Sequence, residues 1–584
     1  MELFFLLLVA ALPRLYLIFQ RGFEISGPDI TTFGLMAKHI LEGHWMVYYY
    51  SQVYTGALKA YVSALYFLLL GTNLTSVYLA CLTVYLGMLT AHYFWVRKVW
   101  GRQIAFLSGL WLAFSSWQIT HYCVSTGGYV GAMLFGSLFM YFAATAQVNR
   151  RHRFLAGLFL GLALWTQPIS ILYPIALWIS KRKSLGSSIQ LELKRVLRHL
   201  FAVDSKFPIP IKLFFILGNT VILGYGLWSL TCMLIPKNML RQFLPEIWIL
   251  QTPFYIAKLK MAAFFMLFQG AIMFLWKQGA GKCREWILKR KETFFGLLLG
   301  YAPALLYIVM GKPYGTYSRL DDSGMIPFQN LHSHLSFVFR EGLVESFGGF
   351  YPSAGSFGWK SMLPSTIALV WNLGFFGFAL FYFFIKKKSH GPKAFPGYFL
   401  ALLFGIYILS ELEAHRYFRV GYQSAALVAG YGMLTLIKYR KKWGLLLITL
   451  GFMSQGVNEF WYIQSIPKQT SLQADYQEIS KLMQERGVLG GYGENERLAS
   501  ALTFLSREKI KIIIYGAQGK HKVIYPPHER FVNKLERVAY VFKKESERRT
   551  PFEHRLAQMS WPYEVIRLNE NDVYFCKRLP ELKN

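Results

Sequence analysis

Asp29 is the residue whose neighbours best prepare it for chemistry. It follows Gly27 and Pro28 just beyond an apolar run at 2–20, and a Gly-Pro pair favours a fixed turn. A carboxylate held there could act as a general base, taking a proton from an acceptor hydroxyl. The same position suits a helix cap or a solvated loop acid. Thr31 or Thr32 could cap a short helix running to Glu42 and ended by Gly43. Further along, Lys59 could extend its ammonium to water from a helix in the interface. Arg416 and Tyr417 lie in E-L-E-A-H-R-Y-F-R, next to another apolar run. Glu411 or Glu413 would serve Arg416 as an ion-pair partner, or its guanidinium could extend to the interface. A long polar stretch at 311–362 holds Arg319, Asp321, Asp322, His332 and His334, which could bind sugar hydroxyls or an acceptor. Long loops of this kind are often functional. Adjacent acids point apart on a strand, and His332 and His334 share a face only in a strand. The spacing therefore supports no metal site, and a divalent cation there is possible in chemistry but unsupported by pattern. His39 and His121 read as ordinary interfacial histidines. No P-loop, G-x-G-x-x-G after a strand, H-E-x-x-H, paired C-x-x-C or G-x-S-x-G is present.

The elements that must position these residues are apolar helices. The chain is 584 residues long, 54% hydrophobic and 16% charged, whereas a soluble domain carries about 25% charged residues. Apolar content excludes disorder, and five Cys in this length exclude a disulfide scaffold. A bilayer span needs about 20 apolar residues. Thirteen such segments are expected at 2–20, 76–96, 104–121, 128–146, 154–167, 168–180, 212–235, 261–276, 294–310, 363–385, 395–410, 420–437 and 443–462. The pair at 154–180 is short and requires a kink, for which Pro168 and Pro174 are suited. Segment 58–70 is apolar but short and reads as a helix lying along the interface.

Charge sets the orientation. The formal net charge is +32, a value that would suit a nucleic-acid partner if the basic residues formed one patch. They fall instead in short clusters between apolar runs, which excludes nucleic acid as the natural partner. With the N-terminus inside, the inner loops carry 28 Lys and Arg, and the outer loops up to residue 462 carry 13. Lys and Arg resist translocation, so this bias marks the cytoplasmic side. The loop at 21–75, the loop at 311–362 and everything beyond 462 then face outward.

Residues 463–584 are polar and read as a small extracytoplasmic α/β domain. Helices are expected at 473–486 and 495–506, and strands at 509–515, 538–542 and 573–576. Gly487, Gly490, Gly491 and Gly493 mark a loop between the helices. Cys576 is the only Cys there, so no disulfide forms within it. Residues 1–462 form the other expected unit, a transmembrane module.

The order of motifs is more specific than any one of them. An early outer-loop acid is followed by A-x-x-I-L-x-G, then by Y-T-G-A-L-x-x-Y-x-x-A-L-Y-F-L-L-L-G and R-K-V-W-G-R. Later come F-L-A-G-L-F-L-G-L-A-L-W-T-Q-P at 154–168, H-R-Y-F-R-V-G-Y-Q-S-A-A-L-V-A-G-Y-G at 415–432 and G-G-Y-G-E-N-E-R-L-A-S-A-L-T-F-L in the tail. This series resembles the GT-C superfamily of membrane glycosyltransferases. Its nearest branch is glycosyltransferase family 39, with the protein O-mannosyltransferases and lipid A aminoarabinose transferases.

The resemblance implies a polytopic helical membrane enzyme of GT-C type. Such enzymes take a sugar from a polyprenyl-phosphate carrier, on the outer face of the cytoplasmic membrane and among membrane lipids, and pass it with inversion to an acceptor lipid, surface glycan or protein. It implies a catalytic role for Asp29, and for Arg416 a contact with the carrier phosphate beside Tyr417. It implies no certain cofactor. The sequence departs from the family in places. Ile30 stands where many relatives have a second acid, Y-T-G-A-L stands where the aminoarabinose transferases have E-K-P-P-L, and Gln167 replaces the Lys of a K-P pair. The missing phosphate-contacting Lys leaves Lys59 as the nearby substitute. W-W-D-Y-G of oligosaccharyltransferases is absent. Two other readings compete. One is a multi-span transporter or lipid-sugar flippase, though no repeated halves are evident and Arg14 is the one basic residue inside the first span. The other is an inactive binder of a lipid-linked sugar.

Overall fold

The computed structural model describes residues 1–21, 28–50, 52–114, 128–146, 149–181, 279–309, 394–409, 420–465, 471–515 and 525–579. In the first part of the chain, helices α1 (Glu2–Arg21) and α2 (Pro28–Leu41) precede a small antiparallel pair, β1 (Tyr48–Tyr49) and β2 (Gln52–Gly56). Next come α3 (Leu58–Leu70), α4 (Leu74–Trp100), α5 (Arg102–Ala113), α6 (Tyr129–Thr145), α7 (Arg150–Thr166), a 3-10 turn (Pro168–Ile171) and α8 (Leu172–Lys181). Then follow α9 (Gly279–Val309), α10 (Phe395–Leu409), α11 (Tyr422–Tyr439) and α12 (Lys441–Ser465). Ten of the thirteen expected spans lie wholly or in part on these helices, that at 104–121 only as far as Ala113; those at 212–235, 261–276 and 363–385 lie outside the described residues. Among the described residues, two helices are long and apolar enough to cross a membrane, Glu2–Gln20 and Leu74–Trp100, with shorter apolar helices at Leu58–Leu70, Tyr129–Thr145 and Pro168–Ser180. Exposed leucines on α3, Leu65, Leu68, Leu69 and Leu70, give that helix one open apolar face.

Glycine lets α7 and α9 touch backbone to backbone. Gly157 and Gly161 on α7 face Gly296 and Gly300 on α9, and an added methyl at any of the four would overlap backbone atoms of the other helix. Pairs of glycines four apart are the usual means of such close approach. The break at 166–168 is also explained. Gln167 has extended backbone, its N–H caps Ala163, and Pro168 opens the 3-10 turn. Pro lacks an amide hydrogen and tolerates the first position of a helix.

Two buried polar side chains tie helices of the bundle together. Arg14 is fully buried; its guanidinium donates to Ala10 O at 2.7 Å, Ala113 O at 3.2 Å and Tyr85 Oη at 3.2 Å. It therefore joins α1, α4 and α5, and this is how the cation inside the first apolar run is accommodated. Gln423 on α11 accepts from Tyr173 Oη on α8 at 2.9 Å and donates to Ser137 Oγ on α6 at 2.7 Å.

The C-terminal unit is a mixed five-stranded sheet with helices. Its elements are α13 (Ser471–Glu485), β3 (Gly490–Gly493), α14 (Glu496–Leu505), β4 (Lys511–Ile514), α15 (Pro526–Val532), β5 (Arg537–Lys543), α16 (Arg549–Met559), β6 (Tyr563–Arg567) and β7 (Asn571–Lys577). The strand order is β4-β3-β5-β7-β6, with β3 parallel to both neighbours and β7 antiparallel to both of its own. The two expected helices and three expected strands are present. The glycine-rich segment is not a loop: Gly490 to Gly493 form an inner strand. Glycine suits it because a Cβ at Gly491 would overlap Ala539 O of β5 and one at Gly493 would press on Leu498 of α14. Asn495 caps α14 by accepting from Leu498 N at 3.0 Å.

Candidate functional site

Asp29 sits in the first turn of α2 and is half-buried. The helix begins at Pro28, so Thr31 and Thr32 lie inside it and do not cap it; Thr31 instead donates to Ser500 Oγ of α14 at 2.7 Å. Gly43, at φ +88°, follows the last turn as expected of a C-terminal glycine. The Tyr49 hydroxyl, on β1, donates to Asp29 Oδ1 at 3.3 Å. Burial pushes the Tyr49 phenol well above its ordinary value, helped by the nearby charges of Asp29 and of Glu496 at the start of α14. Tyr49 is thus fixed as a donor, leaving the carboxylate its remaining acceptor capacity. The Tyr49 ring meets Phe33 edge-on at 5.0 Å, which holds it under α2.

Lys59 lies in the first turn of α3 and is 2% exposed. It does not reach out to water. Its ammonium stands 6.0 Å over the Phe33 ring and bonds the Cys81 thiol of α4, on which the charge of Asp29 also acts. Asp29, Tyr49, Phe33, Lys59 and Cys81 thus form one neighbourhood built from α2, β1, α3 and α4. Gln167 reaches the same loop from the other side, donating to Thr55 Oγ1 of β2 at 3.2 Å. Arg416, Tyr417, Arg319, Asp321, Asp322, His332 and His334 lie outside the described residues.

The C-terminal unit packs directly on this loop. Gly34 of α2 leaves room for the ring of Phe504, where an added methyl would sit 2.5 Å from Phe504 Cε2. Phe504 also stacks on Phe67 of α3, with centroids 6.2 Å apart. At the far end of α2, Lys38 and His39 meet Glu508. His39 is not an ordinary interfacial histidine. It is buried, its Nε2 lies 2.8 Å from Glu508 Oε1, and its Nδ1 meets the Tyr50 hydroxyl. His528 of α15 places its own Nε2 2.6 Å from the same Glu508 oxygen. Burial raises the Glu508 carboxyl, but the hydrogen bonds of His39 and His528 and the Lys38 ammonium outweigh it and hold the group far below the ordinary range. Burial pushes His528 below its ordinary value, against the pull of Glu508. Sequence reasoning missed this cluster because its members come from positions 39, 508 and 528, which no local spacing connects.

No protein-family model matches the chain, and no curated protein matches it. It is similar to the archaeal oligosaccharyltransferase AglB of Archaeoglobus fulgidus in complex with an inhibitory peptide and a dolichol-phosphate, at 11% identity over 92% of this chain and 69% of that one, with a TM-score of 0.46. It is also similar to ArnT of Cupriavidus metallidurans bound to undecaprenyl phosphate, at 14% identity over 98% of this chain and 97% of that one, with a TM-score of 0.39. Likenesses at these scores assign the chain to no family.

Proposed function

We propose that the protein is an inverting glycosyltransferase that uses a polyprenyl-phosphate-linked sugar and acts at the outer face of a membrane. The observation that carries the reading is the placement of Asp29. Its carboxylate opens α2 beneath the C-terminal unit, is oriented by Tyr49, and shares its neighbourhood with the buried cation Lys59. The charge bias of the loops supports an outward position for that site, at the level where a lipid-linked phosphate would lie.

In this mechanism Asp29 accepts the proton of the acceptor hydroxyl as its oxygen attacks the anomeric carbon. The bond between that carbon and the phosphate oxygen breaks, and the lipid phosphate leaves with the electron pair. A cation beside the leaving oxygens stabilises the developing charge. The nearness of Lys59 to Asp29 through Phe33 and Tyr49 supports that role for it, and the sequence resemblance supports the same role for Arg416. Tyr49 is a positioning residue, since it acts through the Asp29 carboxylate.

The first experiment is mass spectrometry of lipids that co-purify in mild detergent, with polyprenyl phosphate added where none is retained. A polyprenyl phosphate bearing a sugar names the donor; bulk phospholipid alone counts against the reading and in favour of a transporter. With the donor in hand, Asp29→Asn lowers transfer by about 10²–10⁴-fold, the usual contribution of a general base, while donor lipid binding is kept. A fully active Asp29→Asn protein sinks the mechanism.

A further inference from the structure

We infer that His39, Glu508 and His528 form a binding site for a divalent transition-metal ion of the zinc class, which fastens α2 to the C-terminal unit. The inference does not depend on the transferase reading. His39 and Asp29 stand at opposite ends of α2, ten residues apart, which is about 15 Å along the axis.

The donor set comes first. Two imidazole nitrogens and a carboxylate oxygen lie within 4.8 Å of one another, and imidazole with carboxylate is a set that zinc accepts. Both histidines turn their Nε2 toward one oxygen, Glu508 Oε1. The site is also shielded, with both imidazoles buried and Glu508 half-buried. Ligands about 2.0–2.1 Å from a tetrahedral ion stand roughly 3.3 Å from each other. The present separations of 2.8 and 2.6 Å are hydrogen-bond lengths, so an outward shift of about half an ångström admits the ion. Water supplies the remaining coordination.

The shell around the ligands allows the exchange. An imidazole that binds metal through Nε2 must carry its proton on Nδ1, and a partner there fixes that tautomer. Tyr50 Oη is the partner of His39 Nδ1 and can accept as well as donate. His39 is further held by stacking on Tyr525 at 4.5 Å. Charge balance is met too. Lys38 bonds the other Glu508 oxygen but also reaches Glu42 Oε1 at 3.1 Å, so its charge has a second partner when the ion arrives. Lys511 donates to the Glu508 carbonyl oxygen at 3.3 Å and its charge also bears on His528.

The backbone gives an independent observation. Arg507 and Glu508 have φ values of +53° and +61°. Two successive left-handed residues that are not glycine carry strain, and such strain collects at ligand clamps. Here it aims the Glu508 side chain at α2.

The test uses the untagged full chain in detergent. The protein is stripped with a chelator and dialysed against Zn(II), and bound metal is counted. Co(II) is then bound in place of zinc and its visible spectrum recorded. The wild type retains a stoichiometric ion, and His39→Gln with His528→Gln removes it while near-ultraviolet circular dichroism stays native. Zinc raises the unfolding temperature of the wild type and not of the double variant. Lys38→Met, which removes the competing cation, binds zinc at least as tightly as the wild type. Equal zinc in wild type and double variant overturns the site, since the remaining histidines would then account for the metal. Should the double variant fail to fold, the Co(II) spectrum of the wild type decides. Intense tetrahedral bands uphold the site, and a weak aqua-type spectrum overturns it.

Discussion

At the scale of single residues, Asp29 and Tyr49 are a carboxylate and the hydroxyl that steers it. Asp29 was legible in the sequence because Gly27, Pro28 and the end of an apolar run mark its place. Tyr49 was not, because it stands among three consecutive tyrosines and nothing in their spacing says which one faces α2. Tyr49→Phe removes one hydrogen bond and keeps the ring packed on Phe33. A bond of this kind is worth about 1 kcal/mol, so transfer falls about fivefold with the donor KM unchanged. A loss as deep as that of Asp29→Asn would make Tyr49 a participant in the proton transfer. Lys59→Met tests a different term, because a cation that stabilises the leaving phosphate acts on the donor. The expected result is a fall of one to two orders of magnitude, about 1.5–3 kcal/mol for a bond to a charged group, read in donor kcat/KM. Unchanged donor kinetics would assign Lys59 to packing.

Secondary elements show what period and composition reveal and what they hide. The helices over 2–20 and 76–96 were legible because long apolar runs leave few alternatives. The strand Gly490–Gly493 was hidden, because glycine lacks the side chain on which strand patterns rest, and its use here lies in tight contact with β5 and α14. The α7–α9 contact was written in the sequence as two glycine pairs four residues apart, a pattern that carries meaning only once the two helices are known to face each other. Gly296→Val tests it. The added side chain meets the Phe154 carbonyl of α7, which cannot swing aside as a side chain would. Overpacking costs about 1–3 kcal/mol, so unfolding in detergent shifts to lower temperature or the protein fails to accumulate. Gly456→Ala on α12 is the control. Its Cβ would have Phe114 Cε1 as nearest neighbour at 4.0 Å, and alanine is the better helix former by about 1 kcal/mol. If both variants lose stability equally, glycine contact is not what holds α7 to α9.

For the whole molecule, the decisive fact is that the C-terminal unit sits on the loop that carries Asp29. Nothing in periodicity predicts that Thr31 meets Ser500 or that His39 meets Glu508, since such pairs are joined by packing and not by neighbourhood in the chain. The contact nevertheless constrains topology: loop 28–57 and the C-terminal unit must share one side of the membrane. In the proposed topology the loop charges make that side the outer one. The turns after α4 and α11 are single residues, Gly101 and Arg440, and the latter is flanked by Lys438, Lys441 and Lys442, a cluster that resists translocation. Two exposed positions separate the alternatives, Gln484 on α13 and Lys441 at the start of α12. Gln484→Cys should react with a membrane-impermeant maleimide in intact cells, and Lys441→Cys only after lysis. Both variants are built on a chain in which Cys123, Cys232 and Cys283 are replaced by serine; the other two cysteines, Cys81 and Cys576, are buried. The reverse pattern would put Asp29 on the cytoplasmic face, where a donor presented on the outer leaflet cannot reach it. That single outcome would remove the proposed reaction while leaving the fold, the glycine contact and the His39–Glu508–His528 cluster untouched.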